Sequence, residues 1–368
     1  MLVLLNHIAF INYDISAVGG VEKVTEILAN QLSHYYKVYI ISLCKSNKDI
    51  PYKFNSNIEI IFINCFRARV RDILLKNRKK MKAILKKSDI STCLLMGGNV
   101  GFILGFWNLD KKINKIFCDH GALSNQINNK VATFYRRIAY GKTNITVTLT
   151  EKNKDDYCRY FKADKTKIIT IYNPIERPLN CSQEYNPYSN SIISVGRLSK
   201  EKGYDLLLEV AQELKKINTD WTWDIWGDGE EYQWISQKIV EMDLREHVFL
   251  KGYNDSINSI YKNYSMFVLT SYREGLPLVL LEAKFNKLPI VSFDIDTGPR
   301  EIIRESVNGF LIKPYDTKEM ANKINLLLSN SSLKEEFSKN SYYDIKKFEL
   351  EEIIRKWRIL IDNYQNNR

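Results

Sequence analysis

The feature that most constrains the fold of this chain is an alternation of apolar runs with amphipathic segments. In the first half, the runs Leu2–Ile11, Lys37–Leu43 and Ile145–Thr150 predict buried strands, and Val21–Ser33 predicts a helix between the first two. Nearly continuous apolar strands separated by helices are typical of a parallel sheet that is covered on both faces. We therefore predict an α/β fold with a doubly wound parallel sheet.

A second alternation of the same kind follows a break that is rich in proline and asparagine. The break covers Asn173–Pro178 and Gln183–Asn190, a composition that suits neither helix nor strand. We therefore place one domain at residues 1–180 and a second at 181–345, with new strands beginning at Ser191–Val195. Sheets of this type bind ligands at their carboxyl edges, so we expect two domains that face each other across a ligand-binding cleft.

The composition is that of a globular protein without disulfide bonds. Met1–Ile11 has no basic flank and no cleavage site, so we interpret it as a first strand and not as a signal peptide. The longest apolar stretch, Leu94–Trp107, is too short and too rich in glycine to span a bilayer. The six cysteines show no CxxC spacing, which argues against a zinc site and favours a reducing compartment. We expect a cytoplasmic protein.

The net charge of +11 is concentrated between Arg67 and Lys87, where ten basic residues accompany one acid, Asp72. Apolar residues recur at helical spacing in the same segment, which predicts a basic amphipathic helix. Such a helix suggests an anionic membrane surface, with nucleic acid as the competing partner. A third interpretation is a solvated helix whose apolar stripe packs on its own domain. No nucleic-acid module accompanies the charge, so we expect no nucleic acid partner.

The most informative motif lies between Thr270 and Glu282. A predicted strand ends in a polar turn, and Pro277 then opens a helix, where its missing N–H costs nothing. The first turn of that helix offers the free backbone N–H groups of Leu278 and Val279 and the positive end of the helix dipole, which together favour an anion. Glu274 precedes the helix and Glu282 lies inside it. Two acids so placed suit the two ends of a long ligand whose phosphates sit between them.

Two glycine-containing loops offer further groups for a phosphate. Gly19 and Gly20 precede the predicted helix Val21–Ser33, where a backbone without side chains lets a phosphate approach. The loop that begins at Gly196 carries Arg197 and Lys202, and two cations beside a diphosphate would neutralise charge as it leaves. A glycine pair taken alone is more often a flexible turn, and a solvated loop explains the second segment equally well.

Three other turns also follow predicted strands. Gly227 ends a strand where a nucleotide could pass close to the backbone, although a plain strand-to-helix turn explains it as well. His120 follows the short strand Ile116–Cys118, the place where such sheets carry functional groups, but a lone histidine is often structural. The turn at Asp296–Glu301 starts a second helix at Pro299, either as another phosphate site or with a simple cap by Thr297.

In order and spacing, these motifs resemble those of the GT-B glycosyltransferases of family GT4. The likeness covers nearly the whole chain, from Gly19 to about Leu328, and its most specific part is the Glu-x7-Glu element of Glu274 and Glu282. The resemblance implies two Rossmann-like domains that face each other across a cleft, with the acceptor bound by the first and the nucleotide sugar by the second. It also implies that the final segment, residues 346–368, packs as a helix back on the first domain.

The resemblance assigns the donor diphosphate to a set of cations and backbone amides. These are the side chains of Arg197 and Lys202 and the amides near Gly20, Leu278 and Val279. Preorganised positive groups of this kind stabilise the charge that grows on a departing diphosphate.

The resemblance assigns the rest of the donor to other residues. Glu282 would hold the ribose hydroxyls, Glu274 would contact the sugar hydroxyls, and Gly227 would lie against the nucleotide. Gly19 would belong to the same donor site, and His120 would sit near the donor sugar and the reacting carbon.

The activity that the resemblance implies is transfer of a sugar, with retained anomeric configuration, from a nucleotide diphosphate sugar to a hydroxyl of a glycan. UDP is expected because it is the commonest nucleotide in the family. Thr297-Gly298-Pro299 resembles members that build bacterial surface polysaccharides. The acceptor is then expected to be a lipid-linked glycan for O-antigen or capsule, at the inner face of the cytoplasmic membrane.

The family also implies metal-independent transfer without a cofactor, and we found no Asp-x-Asp element in a suitable loop. Two alternatives remain open from the sequence. One is a nucleotide-sugar epimerase of the same architecture, which would need extra acids and a base in the cleft. The other is a non-catalytic protein that binds through its basic segment.

Overall fold

The computed structural model describes residues 6–107, 109–175, 185–254 and 256–366. The chain divides into two compact units, of which the first comprises Met1–Glu176 with Lys347–Arg368 and the second comprises Arg177–Lys346. The boundary predicted at residue 180 and the adjoining part of the predicted linker, residues 176–184, lie outside the described residues.

The first unit contains a parallel sheet of seven strands in the order β3-β2-β1-β4-β5-β6-β7. The strands are β1 (His7–Asn12), β2 (Lys37–Ser42), β3 (Glu59–Phe62), β4 (Thr92–Met96), β5 (Asn114–Asp119), β6 (Ile145–Thr148) and β7 (Ile168–Thr170). All neighbouring strands are parallel, and the central β1 and β4 are almost wholly buried because helices cover both faces. The predicted α/β fold with a doubly wound sheet is confirmed.

In the described residues that precede the end of β7, six α-helices accompany this sheet. They are α1 (Gly20–Leu32), α2 (Val70–Lys76), α3 (Arg78–Lys87), α4 (Gly98–Phe106), α5 (Lys130–Lys142) and α6 (Glu151–Phe161). Helix α4 is apolar around its whole circumference and packs against both α5 and the sheet.

The basic segment between Arg67 and Lys87 is two helices rather than the single helix that we predicted. Helices α2 and α3 meet at Asn77, whose side chain exchanges hydrogen bonds with Asn64. Ile73, Met81 and Leu85 from the two helices are buried in the core of the first unit. The predicted apolar stripe is therefore covered by its own domain, while most of the basic side chains lie on the exposed face.

The second unit repeats the architecture with a six-stranded parallel sheet in the order β10-β9-β8-β11-β12-β13. Its strands are β8 (Ser191–Val195), β9 (Thr222–Trp226), β10 (Val248–Gly252), β11 (Met266–Leu269), β12 (Ile290–Phe293) and β13 (Gly309–Ile312). Its helices are α7 (Tyr204–Ile217), α8 (Tyr232–Glu241), α9 (Leu278–Phe285), α10 (Pro299–Ile302), α11 (Thr317–Leu328) and α12 (Ser331–Lys339). The strand order reverses between β8 and β11, the type of position where such sheets bind ligands.

The last helix, α13 (Leu350–Asn366), belongs to the first unit. Its apolar face is buried, and Tyr36 donates a 2.6 Å hydrogen bond to Asp362. Asn114 of β5 donates to the carbonyl of Tyr364 at 2.7 Å, so the helix is attached to the sheet as well as to α1. Among the helices of the described residues, none has both the length and the apolar character that a bilayer span requires.

Candidate functional site

The predicted site residues of the second unit converge on the carboxyl ends of neighbouring strands. Gly196 follows β8, Gly227 follows β9, and Glu274 lies between β11 and α9. Because these strands are parallel neighbours, their ends lie at one edge of the sheet. The sequence pattern alone located this edge.

Lys202 and Glu274 form an ion pair at this edge, with Lys202 Nζ 2.8 Å from Glu274 Oε1. Ser271 donates a second hydrogen bond to the same carboxylate oxygen, at 2.7 Å. The pair depends on Gly203, which has a φ of 66° and whose β-carbon, if present, would lie 2.2 Å from the carbonyl oxygen of Thr270. Only glycine lets the lysine loop approach the end of β11 this closely.

Helix α9 begins one residue later than we predicted. Pro277 is the N-cap with an extended backbone, and the first helical hydrogen bond is donated by Leu280 to its carbonyl. The amides of Leu278 and Val279 precede that bond, as predicted for an anion site.

The neighbouring turn before α10 packs on this loop. Thr297 donates its hydroxyl to the carbonyl of Glu274 at 2.6 Å, and Gly298 takes the N-cap position of α10. The alternative in which Thr297 caps that helix is therefore wrong. Its hydroxyl instead fixes the backbone of the residue that pairs with Lys202.

Glu282 accepts a 2.7 Å hydrogen bond from the hydroxyl of Tyr261. Tyr261 is fully buried, and both burial and the nearby Glu282 carboxylate raise its pKa well above the ordinary value of 10. The tyrosine therefore remains a hydrogen-bond donor at any physiological pH. Its hydroxyl binds one oxygen of Glu282 and so helps to fix the orientation of this carboxylate.

Arg197 occupies a much more open position than Lys202. Its side chain is 70% exposed and lies 3.0 Å from Glu230, which is also exposed. The adjacent backbone is tightly packed, because a β-carbon on Gly227 would lie 1.9 Å from the carbonyl oxygen of Gly196. Loop packing alone thus explains why residue 227 is glycine, whether or not a nucleotide approaches it.

In the first unit, Gly19 and Gly20 form the entry to α1. The backbone N–H of Gly19 donates to the hydroxyl of Tyr52 at 2.9 Å. A β-carbon on Gly19 would lie 2.5 Å from Oε2 of Glu22, so this carboxylate lies over the start of the helix. Burial raises the pKa of Glu22 above its ordinary value. A phosphate near Gly20 would share this helix end with a carboxyl group.

His120 follows β5 and leaves both ring nitrogens buried without a hydrogen-bond partner in the described part of the chain. Burial lowers its pKa to about 4, and the neighbouring Asp119 only partly opposes this shift. His120 is therefore neutral near pH 7. Buried polar atoms are almost always satisfied in folded proteins, so this ring is a strong candidate to meet a ligand.

A buried cluster supports the segment that carries His120. Arg136 Nε lies 3.0 Å from Asp119 Oδ2, and the hydroxyl of Tyr157 donates to the same oxygen at 2.8 Å. Arg136 also donates to Gln126 at 2.6 Å. Burial by itself would lower the pKa of Arg136, but Asp119 and Tyr157 raise it, so the arginine stays charged. Three elements, β5, α5 and α6, meet at one carboxylate.

The loop after β12 contains Asp294 and Asp296, an Asp-x-Asp pair that our sequence reading did not single out. Asp294 is paired with Arg300. In the described ranges, no group of three or more His, Cys, Asp and Glu side chains is arranged to hold a metal ion. The expectation of metal-independent transfer stays a prediction.

Several residues of the site escaped the sequence analysis. Tyr261 reaches Glu282 from a segment whose sequence carries no motif. Ser271 lies within the Thr270–Glu282 motif, but its hydrogen bond to Glu274 is not evident from the sequence. Arg136 lies on a helix with other basic residues, so nothing in the sequence distinguishes the buried arginine from the exposed Arg137. Asp119 could have been found, because it directly precedes His120 at a strand end.

Comparison with known proteins places this chain in a recognised class. The family described as glycosyl transferases group 1 matches residues 182–344, and glycosyltransferase family 4 matches residues 18–177. A Haemophilus influenzae protein described as an uncharacterized glycosyltransferase is 30% identical over 356 residues, which cover 96% of this chain and 99% of that protein. The protein is thus a glycosyltransferase with a GT-B fold. It belongs to glycosyltransferase family GT4.

More distant relatives also match over nearly the full length of this chain. A Campylobacter jejuni enzyme is 25% identical over 95% of this chain and 96% of its own, and its name describes an α-1,4-N-acetyl-D-galactosaminyltransferase acting on a PP-undecaprenol-linked glycan. The structure of Staphylococcus aureus TarM with UDP matches with a TM-score of 0.81 and 19% identity, covering 97% of this chain and 99% of TarM. At this identity the structural match shows the shared fold.

Proposed function

We propose that the protein is a retaining glycosyltransferase that uses a nucleotide diphosphate sugar and extends a lipid-linked glycan in bacterial surface polysaccharide synthesis, such as O-antigen or capsule. The observation that carries the proposal is the Lys202–Glu274 ion pair beside the N-terminus of α9. It combines a cation, a carboxylate and free helical amides, the groups that a diphosphate and an attached sugar require.

The donor is assigned to the second unit. Glu282, oriented by Tyr261, is suited to the two ribose hydroxyls, because a carboxylate accepts hydrogen bonds from both. UDP is the proposed nucleotide, which is supported by the UDP present in the TarM structure and in that of the pneumococcal O-GlcNAc transferase GtfA. GtfA is 18% identical, covers 98% of this chain and 99% of its own, and has a TM-score of 0.80.

The chemistry follows from charge development. As the sugar departs, its anomeric carbon gains oxocarbenium character and negative charge grows on the diphosphate. Lys202, Arg197 and the amides of Leu278 and Val279 would stabilise that charge because they are in place before the reaction. Glu274 already pairs with Lys202 and Ser271, so its proposed role is to position sugar hydroxyls rather than to attack the carbon. The leaving phosphate would then accept the proton of the acceptor hydroxyl.

The acceptor is assigned to the first unit, where neither ring nitrogen of His120 has a hydrogen-bond partner among the described residues. A neutral imidazole can donate one hydrogen bond and accept another, which suits sugar hydroxyls. The lipid carrier is supported by the Campylobacter relative, whose name specifies PP-undecaprenol. We propose that the exposed basic residues of Arg67–Lys87 bring the protein to the inner face of the anionic cytoplasmic membrane.

The experiment that tests the donor assignment is a thermal-shift screen of nucleotide sugars. A ligand that binds only the folded state stabilises it by about 2.7 kcal/mol at a concentration one hundred times its Kd, so the true donor should raise Tm clearly. The Glu282→Ala variant serves as the control and should lose the shift. A screen in which no nucleotide sugar raises the Tm of the unmodified protein would refute the proposal.

Once the screen has identified the donor, two activity assays test the epimerase alternative and the need for a metal ion. With the donor identified, incubation without acceptor should yield no isomer of the donor sugar; an isomer would indicate the epimerase. Addition of EDTA is expected to leave the transfer rate unchanged, and loss of activity restored by a divalent cation would contradict the proposed metal-independent mechanism.

A further inference from the structure

We infer that an exposed aromatic patch on the first unit inserts into an anionic lipid bilayer. The patch consists of Phe106 at the end of α4, Val131 and Phe134 on α5, and Leu75 on α2. These side chains are 63%, 59%, 53% and 70% exposed, respectively. The inference rests on the proposed membrane-borne acceptor. The apolar stripe of the predicted basic helix is buried in its own domain, so these exposed side chains take its place as the groups that would enter the bilayer.

The two phenylalanines belong to one cluster. Both lie next to the buried ring of Phe102, with centroid distances of 6.1 Å for Phe106 and 6.0 Å for Phe134. Phe102 in turn stacks on Tyr135 at 4.0 Å. The two exposed rings therefore lie against the same buried aromatic ring. Exposed apolar groups that cluster in this way mark interaction sites in soluble proteins, because they otherwise cost solvation free energy.

Helix α2 adjoins this cluster. The indole of Trp107, directly after Phe106, donates a 2.8 Å hydrogen bond to the carbonyl of Leu74. The next residue, Leu75, is exposed, and the exposed Arg71 and Lys76 lie on the same short helix. The end of α4 is thus joined to the basic segment by a direct contact.

The basic residues around the patch favour an anionic bilayer as its partner. Helix α3 holds six basic residues and no acid, and α5 has no acid either. On α5, Lys130, Phe134 and Arg137 are exposed at helical spacing, so one face carries an aromatic ring between two cations. Aromatic rings among basic side chains fit the interface of an anionic bilayer, where the rings enter the acyl boundary and the cations meet lipid phosphates. A second copy of this chain would bring like charges together.

The test is flotation with phosphatidylcholine vesicles that contain or lack phosphatidylglycerol. The unmodified protein should float only with the anionic vesicles. Phe106→Ser with Phe134→Ser should weaken binding by about tenfold or more, because two half-buried rings no longer leave water. The control, Tyr188→Ser with Phe249→Ser, removes two exposed aromatic rings from the second unit and should leave binding unchanged.

A second set of variants tests the charges. Replacing Arg78, Lys79 and Lys82 by Gln should weaken anionic-vesicle binding on the order of a hundredfold, at roughly fivefold for each cation. Replacing the exposed Lys313, Lys318 and Lys339 of the second unit is the matched control.

Insertion itself has a direct readout. A Phe106→Trp variant should gain tryptophan fluorescence quenching by brominated acyl chains, relative to the unmodified protein. The inference is overturned if the double serine variant floats like the unmodified protein. It is equally overturned if sedimentation shows a dimer that this variant dissociates while vesicles bind neither form. Transfer to a water-soluble acceptor should persist in the variant, so loss of flotation and loss of the proposed transferase activity are separate results.

Discussion

Lys202 and Glu274 are 72 positions apart in the chain, and their side chains meet at 2.8 Å. The side chain of Lys202 is 23% exposed and that of Glu274 is 9% exposed, so solvent screens this pair less than a surface ion pair. Sequence motifs assign these two residues to different parts of one donor. A diphosphate that reaches Lys202 would share the ammonium group with Glu274, which links phosphate binding to the position of a carboxylate near the sugar.

We predict that Lys202→Ala lowers kcat more than it weakens donor binding. The cation is needed most when charge has moved onto the diphosphate, and loss of one such contact costs on the order of 10²–10³ in rate. Steady-state kinetics and calorimetric donor affinities measure the two effects. Lys200→Ala removes an exposed lysine from the same loop and should leave both values unchanged. Normal turnover of Lys202→Ala would exclude a role with the leaving group.

The same reasoning applies to Arg197, although its starting point differs. Its pair with Glu230 is open to solvent and therefore weak, so Arg197→Ala should leave the free energy of unfolding nearly unchanged. Its kcat should nevertheless fall as for Lys202→Ala. Glu230→Ala is the control, since it frees the guanidinium without removing it. Normal turnover of Arg197→Ala would show that this arginine has no role in the reaction.

Glu282→Ala is expected to weaken donor binding mainly, because the ribose contacts are made equally before and during the reaction. Tyr261→Phe should produce a smaller loss in affinity, since the carboxylate remains but loses its 2.7 Å donor. Loss of this part-buried hydrogen bond to a carboxylate should also lower the free energy of unfolding by roughly 1–3 kcal/mol. Calorimetry and denaturant titration measure these quantities. Unchanged donor affinity in Glu282→Ala would refute the assignment of the ribose.

Arg136→Met should lower the free energy of unfolding on the order of 3–5 kcal/mol, because it leaves the Asp119 carboxylate buried without its charged partner. Arg137→Met changes the next residue of α5, which is exposed, and should stay within about 0.5 kcal/mol of the unmodified protein. Urea unfolding measures both. Equal stabilities for the two variants would mean that the Asp119 cluster does not hold this part of the domain together.

His120 predicts a specific pH dependence of stability. Its pKa falls from 6.5 to about 4 on folding, so between these values the unfolded chain binds a proton that the folded chain does not. The free energy of unfolding should therefore rise from pH 4 to 6.5 and level off above, by an amount on the order of 3 kcal/mol. Urea titrations of the unmodified protein and His120→Gln across this range isolate the effect. Parallel stability curves would contradict it.

The fold could be predicted because its signals are local. Continuous apolar strands, amphipathic helices and turn residues repeat at short range, and they gave the sheet edge where Glu274, Gly196 and Gly227 lie. The basic segment shows the limit of such patterns. Helical spacing over Arg67–Lys87 suggested one helix, but Asn77 and its bond to Asn64 end the first helix, a contact that only the folded chain reveals.

The partners of the site residues could not be predicted for the same reason. Tyr261 reaches Glu282 from another loop, and Thr297 fixes the Glu274 backbone across 23 positions. Neither contact leaves a periodic trace in the sequence. Likewise, Phe106 and Phe134 look like ordinary apolar helix residues until the packing of α4 and α5 shows which rings the core does not cover.

Because α13 supplies part of the first unit, that unit is incomplete until residues 350–366 have been made. During synthesis, the Tyr36 hydroxyl and the Asn114 amide must wait for Asp362 and Tyr364 to leave the ribosome. The second unit, which is contiguous in sequence, can fold before them. We therefore expect the first unit to be the last to mature, and a chain released before α13 is made to expose apolar residues that chaperones would recognise.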